Sequence, residues 1–418
     1  MGAVLPAGPG RTVFTHAAVL DADLGACLPD RTVVVEGDRI AAVAEGELST
    51  AADRVIDLRG AVLMPGLIDC HVHVTVVTTD VWGMAEWSPA YVTARAAGVM
   101  AGMLRRGFTT VRDVGGCDFG LARAVAEGHL PGPRLVYGGK MLSQTGGAGE
   151  WRGPGRTVHD PHYACPSLAW LCDGVAEVRR AAREEVRRGA HHLKLYLSGA
   201  VDAPADRIDA TQFAAEEIRA AVEEAEAAGI YVAGHAYTSR AINRGLALGV
   251  RTIEHGNLMD ESSPPLFLAH DAFYVPTLAT YQALGRHGRD LGMPEEAMAK
   301  LPPVLAGGLH ALELAHRAGV PIAYGTDLLA AMHREQSAEF TLRAEVQPAV
   351  DIVRAATTVA ARLLRLEGAV GVVAEGAFAD LLVVDGDPLQ DVRRLSDPER
   401  HLRLVMQSGR AVRDDLAG

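Results

Sequence analysis

The sequence predicts an α/β protein: a (β/α)8 barrel joined to a small β-sandwich that both chain ends build. Three observations predict it. Through the middle of the chain, short apolar strands alternate with long helical patterns, which signals parallel βα units. Eight such strands can be counted. The two chain ends carry only short β-branched runs separated by turn residues.

The elements follow in order. TVVVEG (32–37) and RIAAVAEG (39–46) are β-like, and the far end repeats the pattern in ADLLVVDG (379–386) and RLVMQSGRAV (403–412). Residues 1–63 plus 368–418 are therefore expected to form the sandwich, and residues 64–367 the barrel. The eight strands are LIDCHVHV (67–74), TTVRDV (109–114), RLVYGG (134–139), HLKLYL (192–197), YVAGHA (231–236), TIEHG (252–256), FYVPTL (273–278) and PIAYGTD (321–327). In AAEEIRAAVEEAEAAG (214–229), Ile218, Val222 and Ala225 recur on one helical face, and Gly229 is a C-terminal stop. Residues 141–170, rich in Gly and Pro, are expected to form a long loop after the third strand, at the catalytic end of the barrel.

Composition narrows the function. The chain has 418 residues, 49% of them hydrophobic, so a large core is available. A formal net charge of −12 argues against nucleic acid or an anionic membrane as partner. No apolar run is long enough to span a bilayer, and the first residues do not read as a secretory signal. The five cysteines (Cys27, Cys70, Cys117, Cys165, Cys172) are scattered, without a CxxC pair. Reduced thiols and a cytoplasmic setting are expected. A homo-oligomer is expected, its order not readable.

The strand ends hold the chemistry. His71 and His73 are two apart on one strand, so their side chains share a face. Lys194 lies near the end of the fourth strand, His235 and His255 end the fifth and sixth, and Asp327 ends the eighth. In a parallel barrel all of these converge on the C-terminal mouth. Imidazoles and a carboxylate together suit zinc or a similar divalent metal. Each residue alone has an ordinary structural reading; the conjunction is what is specific.

Lys194 stands out because only three lysines occur (Lys140, Lys194, Lys300) among the 40 basic residues. It is flanked by Leu193, Leu195 and Leu197, so burial is expected. A neutral lysine amine reacts with CO2 to give an anionic carbamate with two oxygens, which suits a bridge between two metals. Arginine, effectively always protonated, cannot do this.

The pieces MPGLIDCHVHV (64–74), GFTTVRDVGG (107–116), HLKLYLSG (192–199), GHAYTSRAINRGLALGVRTIEHGN (234–257), YGTDLL (324–329) and EGAFADLLVVDGDPL (375–389) resemble the amidohydrolase superfamily. The resemblance implies a metal-dependent barrel with a small β-sandwich. It further implies two divalent metal ions, expected to be Zn2+: His71, His73 and Asp327 bind one, His235 and His255 bind the second, and carboxylated Lys194 bridges them. Within that superfamily the chain looks most like the Xaa-Pro dipeptidase-like, N-acyl amino acid carboxypeptidase and ochratoxin-degrading group. SQTGG (143–147) is part of that overlap. Two departures sit beside the substrate: Ala148 in TGGAG and Tyr237 in GHAY, where histidines often stand.

The implied reaction is hydrolysis of a peptide-like or N-acyl amino acid C–N bond in a small-molecule substrate. A hydroxide bridging the metals is the expected nucleophile, Asp327 the proton shuttle and Tyr237 an oxyanion donor. Gln144, Tyr196, Tyr237 and His333 are candidate substrate contacts, and Trp82, Trp87 and Trp151 candidate pocket walls. Strand alternation turns Glu254 away from His255, so no chemistry is assigned to it. Arg112 and Asp113 read as a structural pair. The alternatives are an aryl-urea or carbamate hydrolase on the same site, a one-metal deaminase, which Lys194 argues against, and a non-catalytic scaffold, which the filled ligand positions argue against.

Overall fold

The computed structural model describes residues 10–48, 51–84, 86–150, 168–203 and 206–416, the side chain of Trp82 excepted. Parallel pairing links the barrel strands Leu67–Val72, Phe108–Asp113 and Arg134–Tyr137 in one sheet. A second sheet runs through Leu193–Tyr196, Val232–Thr238, Thr252–Leu258 and Phe273–Val275, again parallel.

Two joints close the ring. After Arg134–Tyr137 the chain bends at Gly138 and Gly139 and resumes as Met141–Ser143, which pairs with the fourth barrel strand through Leu142 and Leu195. The bend needs glycine: a Cβ on Gly139 would lie 1.9 Å from Glu185 Oε2, and its φ of +73° is left-handed. The eighth strand is the irregular one. Residues 321–327 make a single bridge, Ile322 to Tyr274. Backbone bonds from Cys70 N to Tyr324 O (2.7 Å) and from Asp327 N to His71 O (2.8 Å) tie that segment to the first barrel strand.

The loop expected over 141–170 contains strand at both described ends, since Ala169–Leu171 adds alongside Met141–Ser143. The helix expected at 214–229 runs Ala215–Ala227, with Ile218, Val222 and Ala225 buried and Gly229 at φ +73° just beyond its cap. Leu193, Leu195 and Leu197 pack in one core with Ile218 and Val222, on the helix side of the strand.

Both chain ends build one eight-stranded sheet. Its Val62–Pro65 strand pairs antiparallel with Leu381–Val384 and leads directly into the first barrel strand. Period-two alternation divides the labour. Leu381 and Val383 join Phe14, Val33 and Ile40 in the sheet's own core, while Leu382 and Val384 join Leu67 and Phe108 in the barrel's. No described helix is long and apolar enough to cross a membrane.

Candidate active site

Register delivers the strand residues to one place. Lys194 pairs with Ala233 and Tyr196 with His235, so Lys194, Tyr196, His235 and Tyr237 all face inward. They line a cavity that His71, His73, His255 and Asp327 also line. All six expected metal-type residues thus meet.

The distances are those of a ligand cluster. His71 Nε2 and His73 Nε2 each lie 3.3 Å from Asp327 Oδ1. The donor atoms of these three residues fall within 4.8 Å of one another, close enough to hold one cation. The His235 and His255 rings lie 4.4 Å apart, and His255 lies 4.8 Å from His71.

Each imidazole is oriented by its other nitrogen. His73 Nδ1 donates to Gly115 O at 2.8 Å and His235 Nε2 to Gly199 O at 3.0 Å. His255 Nδ1 bonds Thr277 Oγ1 at 2.8 Å, and His71 Nδ1 bonds Glu254 Oε2 at 2.7 Å. Such partners fix ring tautomer and aim the remaining nitrogen. Burial lowers His235 to about 3 and His255 well below the ordinary histidine value. Both are therefore neutral, the form that donates to a metal.

Two of the candidate ligand positions carry unusual backbone. His255 has φ +74° and Asp327 φ +54°, both left-handed at non-glycine residues. Strain of this kind concentrates at functional sites. At His255 it has a clear effect. Alternation alone would send Glu254 inward and His255 outward; the left-handed turn brings both inside.

Lys194 is 1% exposed, and its Nζ has no hydrogen-bond partner among the described residues. Burial lowers its pKa to about 8. An amine in that state is poised to lose its charge, and an orphaned buried nitrogen beside four imidazoles and a carboxylate fits a site completed by further groups.

Residues 62–412 match the amidohydrolase family. The chain belongs to that family. It is a hydrolase acting on carbon–nitrogen bonds. Ochratoxinase of Aspergillus niger is 31% identical over 355 residues, spanning 82% of this chain and 74% of that one. A crystal structure of a prolidase complexed with N-methylphosphonate-L-proline is 44% identical, with TM-score 0.94 and coverage of 97% of this chain and 100% of that chain. A Xaa-Pro dipeptidase with methionine bound in its active site is 28% identical, with TM-score 0.86 and coverage of 96% and 99%.

Other sequence readings of this amidohydrolase meet the structure unevenly. Tyr196 and Tyr237 line the cavity, and Tyr237's hydroxyl oxygen accepts from Tyr281 at 3.0 Å. Gln144 and His333 are not among its lining residues. Gln144 Oε1 accepts from the backbone of Phe213, a left-handed residue. His333 is buried behind the site, with Nε2 3.4 Å from Val76 O. Trp87 packs on Tyr91 and does not line the cavity; Trp151 and the Trp82 side chain lie outside the described residues. The apolar wall is instead Val76, Val81, Met141, Leu168, Val201, Leu284 and Leu329. Ala148 sits just behind it, clustered with Met141, Leu168 and Tyr196.

The Arg112–Asp113 pairing expected from sequence is replaced by two separate roles. Adjacent strand residues face opposite ways. Asp113 turns to backbone amides of Val74, Gly115 and Cys117. Arg112 crosses the barrel to Glu254, at 2.8 and 2.9 Å. Burial would push Glu254 up, but Arg112 and His71 outweigh it and hold the carboxyl well below the usual range. Glu254, to which sequence reasoning assigned no chemistry, thus lies against the cluster through His71. Thr280 and Tyr281, from the helix Leu278–His287, and Asp202, from the turn after the fourth strand, also line the cavity, where no sequence motif announces them.

Proposed function

We propose that this amidohydrolase cleaves a peptide-like amide in a small-molecule substrate, using two divalent metal ions, zinc foremost. His71, His73 and Asp327 would hold one ion, His235 and His255 the other, and carboxylated Lys194 would join them. What supports this most is Lys194, whose buried Nζ faces the imidazole cluster without a partner among the described residues. Its neutral amine adds to CO2, forming an N–C bond and releasing one proton to solvent. When bound, the metals supply Lewis acidity, which lowers the pKa of a coordinated water to about 7 and polarises a carbonyl.

The chain's own groups do the rest. Glu254 and Thr277 hold His71 and His255 in place. Asp327, in contact with both His71 and His73, accepts the attacking water's proton and passes it to the leaving nitrogen. Tyr237 accepts from Tyr281, which leaves its own hydroxyl proton to donate to the developing oxyanion. The apolar wall keeps bulk water away from these groups. The likeness to a prolidase solved with N-methylphosphonate-L-proline supports an amide with a carboxylate-bearing leaving group. The net charge of −12 and the free thiols support a cytoplasmic setting with neither nucleic acid nor membrane as partner. A homo-oligomer belongs to the same reading.

The test is a substrate panel with zinc-loaded and chelator-treated protein: Xaa-Pro dipeptides, N-acyl amino acids, aryl amides, phenylureas and carbamates. Hydrolysis confined to the amides, lost on chelation and restored by zinc, is expected. Turnover confined to ureas or carbamates would overturn the amide reading.

A further inference from the structure

The helix Leu278–His287 reaches the cavity by its first two turns, through Thr280, Tyr281 and Leu284. Its N-cap is Thr277, a residue type whose hydroxyl ordinarily accepts from an amide two or three positions on. Among the described residues Thr277 makes no such bond. Its Oγ1 lies instead 2.8 Å from His255 Nδ1. A β-branched side chain settles in one rotamer, so the hydroxyl spent on the imidazole is withdrawn from the helix.

The helix start is satisfied all the same. Glu339 Oε2 accepts from Ala279 N at 2.7 Å, across 60 residues of sequence. Ala279 N is one of the amides that a capping Thr277 would have taken. A carboxylate also suits the positive end of a helix. Glu339, Thr277 and Ala279 are all buried, so no bulk water can stand in for the bond.

Glu339 is itself held. Arg343 Nε donates to its Oε1 at 2.9 Å, and Arg343 Nη2 donates to Pro276 O at 3.2 Å and Ala323 O at 2.9 Å. Pro276 directly precedes Thr277, and Ala323 lies on the segment that ends in Asp327. The far end of the helix is anchored separately, by Arg286 and His287 on Glu335 at 2.8 and 2.7 Å. Without the Glu339 oxygen, the acceptor nearest in sequence for Ala279 N is the Thr277 hydroxyl, and turning it there breaks the bond to His255.

We infer that Glu339 is a positioning residue for the candidate metal centre: it caps the helix Leu278–His287 from outside and so frees Thr277 to orient His255. The inference rests on the two-metal reading above and adds to it a residue that touches neither metal nor substrate.

Zinc titration of the full chain against a competing chelator, in bicarbonate buffer, tests it. Thr277→Val should weaken the zinc held by His235 and His255 roughly 10–100-fold and leave the other unchanged. Glu339→Leu with Arg343→Met removes the carboxylate without leaving a buried charge unpaired, and should weaken the same zinc to a similar degree. Glu339→Ala with Arg343→Met serves where that pair does not fold. Adding Thr277→Val should cost little more, because both changes act through one bond. Glu339→Gln with Arg343→Met keeps an acceptor oxygen for Ala279 N and should bring the affinity back to near wild type. Wild-type affinity for both zinc ions in the folded Glu339→Leu pair, or a loss that adds in full to that of Thr277→Val, would overturn the role of Glu339 and leave two-metal binding standing. A wild-type chain that takes up only one zinc would overturn both.

Discussion

His71 Nδ1 lies 2.7 Å from Glu254 Oε2, deep in the barrel, and both side chains are fully buried. Glu254 in turn binds Arg112 with both oxygens. A chain of three polar side chains thus runs from the barrel interior to a metal-type ligand. Its charge balance matters as much as its geometry. Arg112 keeps Glu254 ionised, and the ionised carboxylate fixes which nitrogen of His71 carries the proton.

Replacing Glu254 by Gln keeps the shape and removes the charge. Arg112 is then left buried and uncompensated, which costs about 3 kcal/mol or more of stability. Metal affinity should also fall, roughly 10–100-fold, as His71 loses its orienting partner. Denaturant melts and zinc titration measure the two effects separately. Wild-type zinc affinity in a folded Glu254→Gln variant would remove Glu254's positioning role.

Asp327→Asn should lower kcat by about 10²–10⁴, the range for a lost proton-transfer group. The assay belongs at saturating zinc, since Asp327 is also a proposed ligand. An undiminished kcat under those conditions would rule out the proton shuttle.

Tyr237→Phe removes the proposed oxyanion donor and should cost roughly 10²–10³ in kcat. Tyr281→Phe should cost less, because Tyr281 acts through its 3.0 Å bond to Tyr237. Steady-state kinetics separate the cases. A Tyr237→Phe enzyme that changes only in KM would make Tyr237 a binding group and nothing more.

Much of this protein was readable in its sequence because strand alternation is strict. Leu193, Leu195 and Leu197 fall to the helix side, and Lys194 and Tyr196 to the cavity, as period two requires. The reading stops where backbone departs from that period. The left-handed φ at His255 puts Glu254 and His255 on the same side, so alternation misjudged Glu254. Arg112 needed its partner from a strand 142 residues away, a separation no local pattern reports. Gln144 Oε1 is taken up by the backbone amide of Phe213, a left-handed residue 69 positions away, which no local pattern reports. Tyr281 comes from the helix Leu278–His287 and Asp202 from the turn after the fourth strand, and only tertiary structure brings either to the cavity.

The central claim is that Lys194, carboxylated, holds two metals together. The direct measurement is metal per chain in wild type and Lys194→Ala, each reconstituted with zinc in bicarbonate buffer. The account predicts about two zinc ions per wild-type chain, fewer in the variant, and turnover lower by orders of magnitude. Two zinc ions and near wild-type turnover in Lys194→Ala would contradict it.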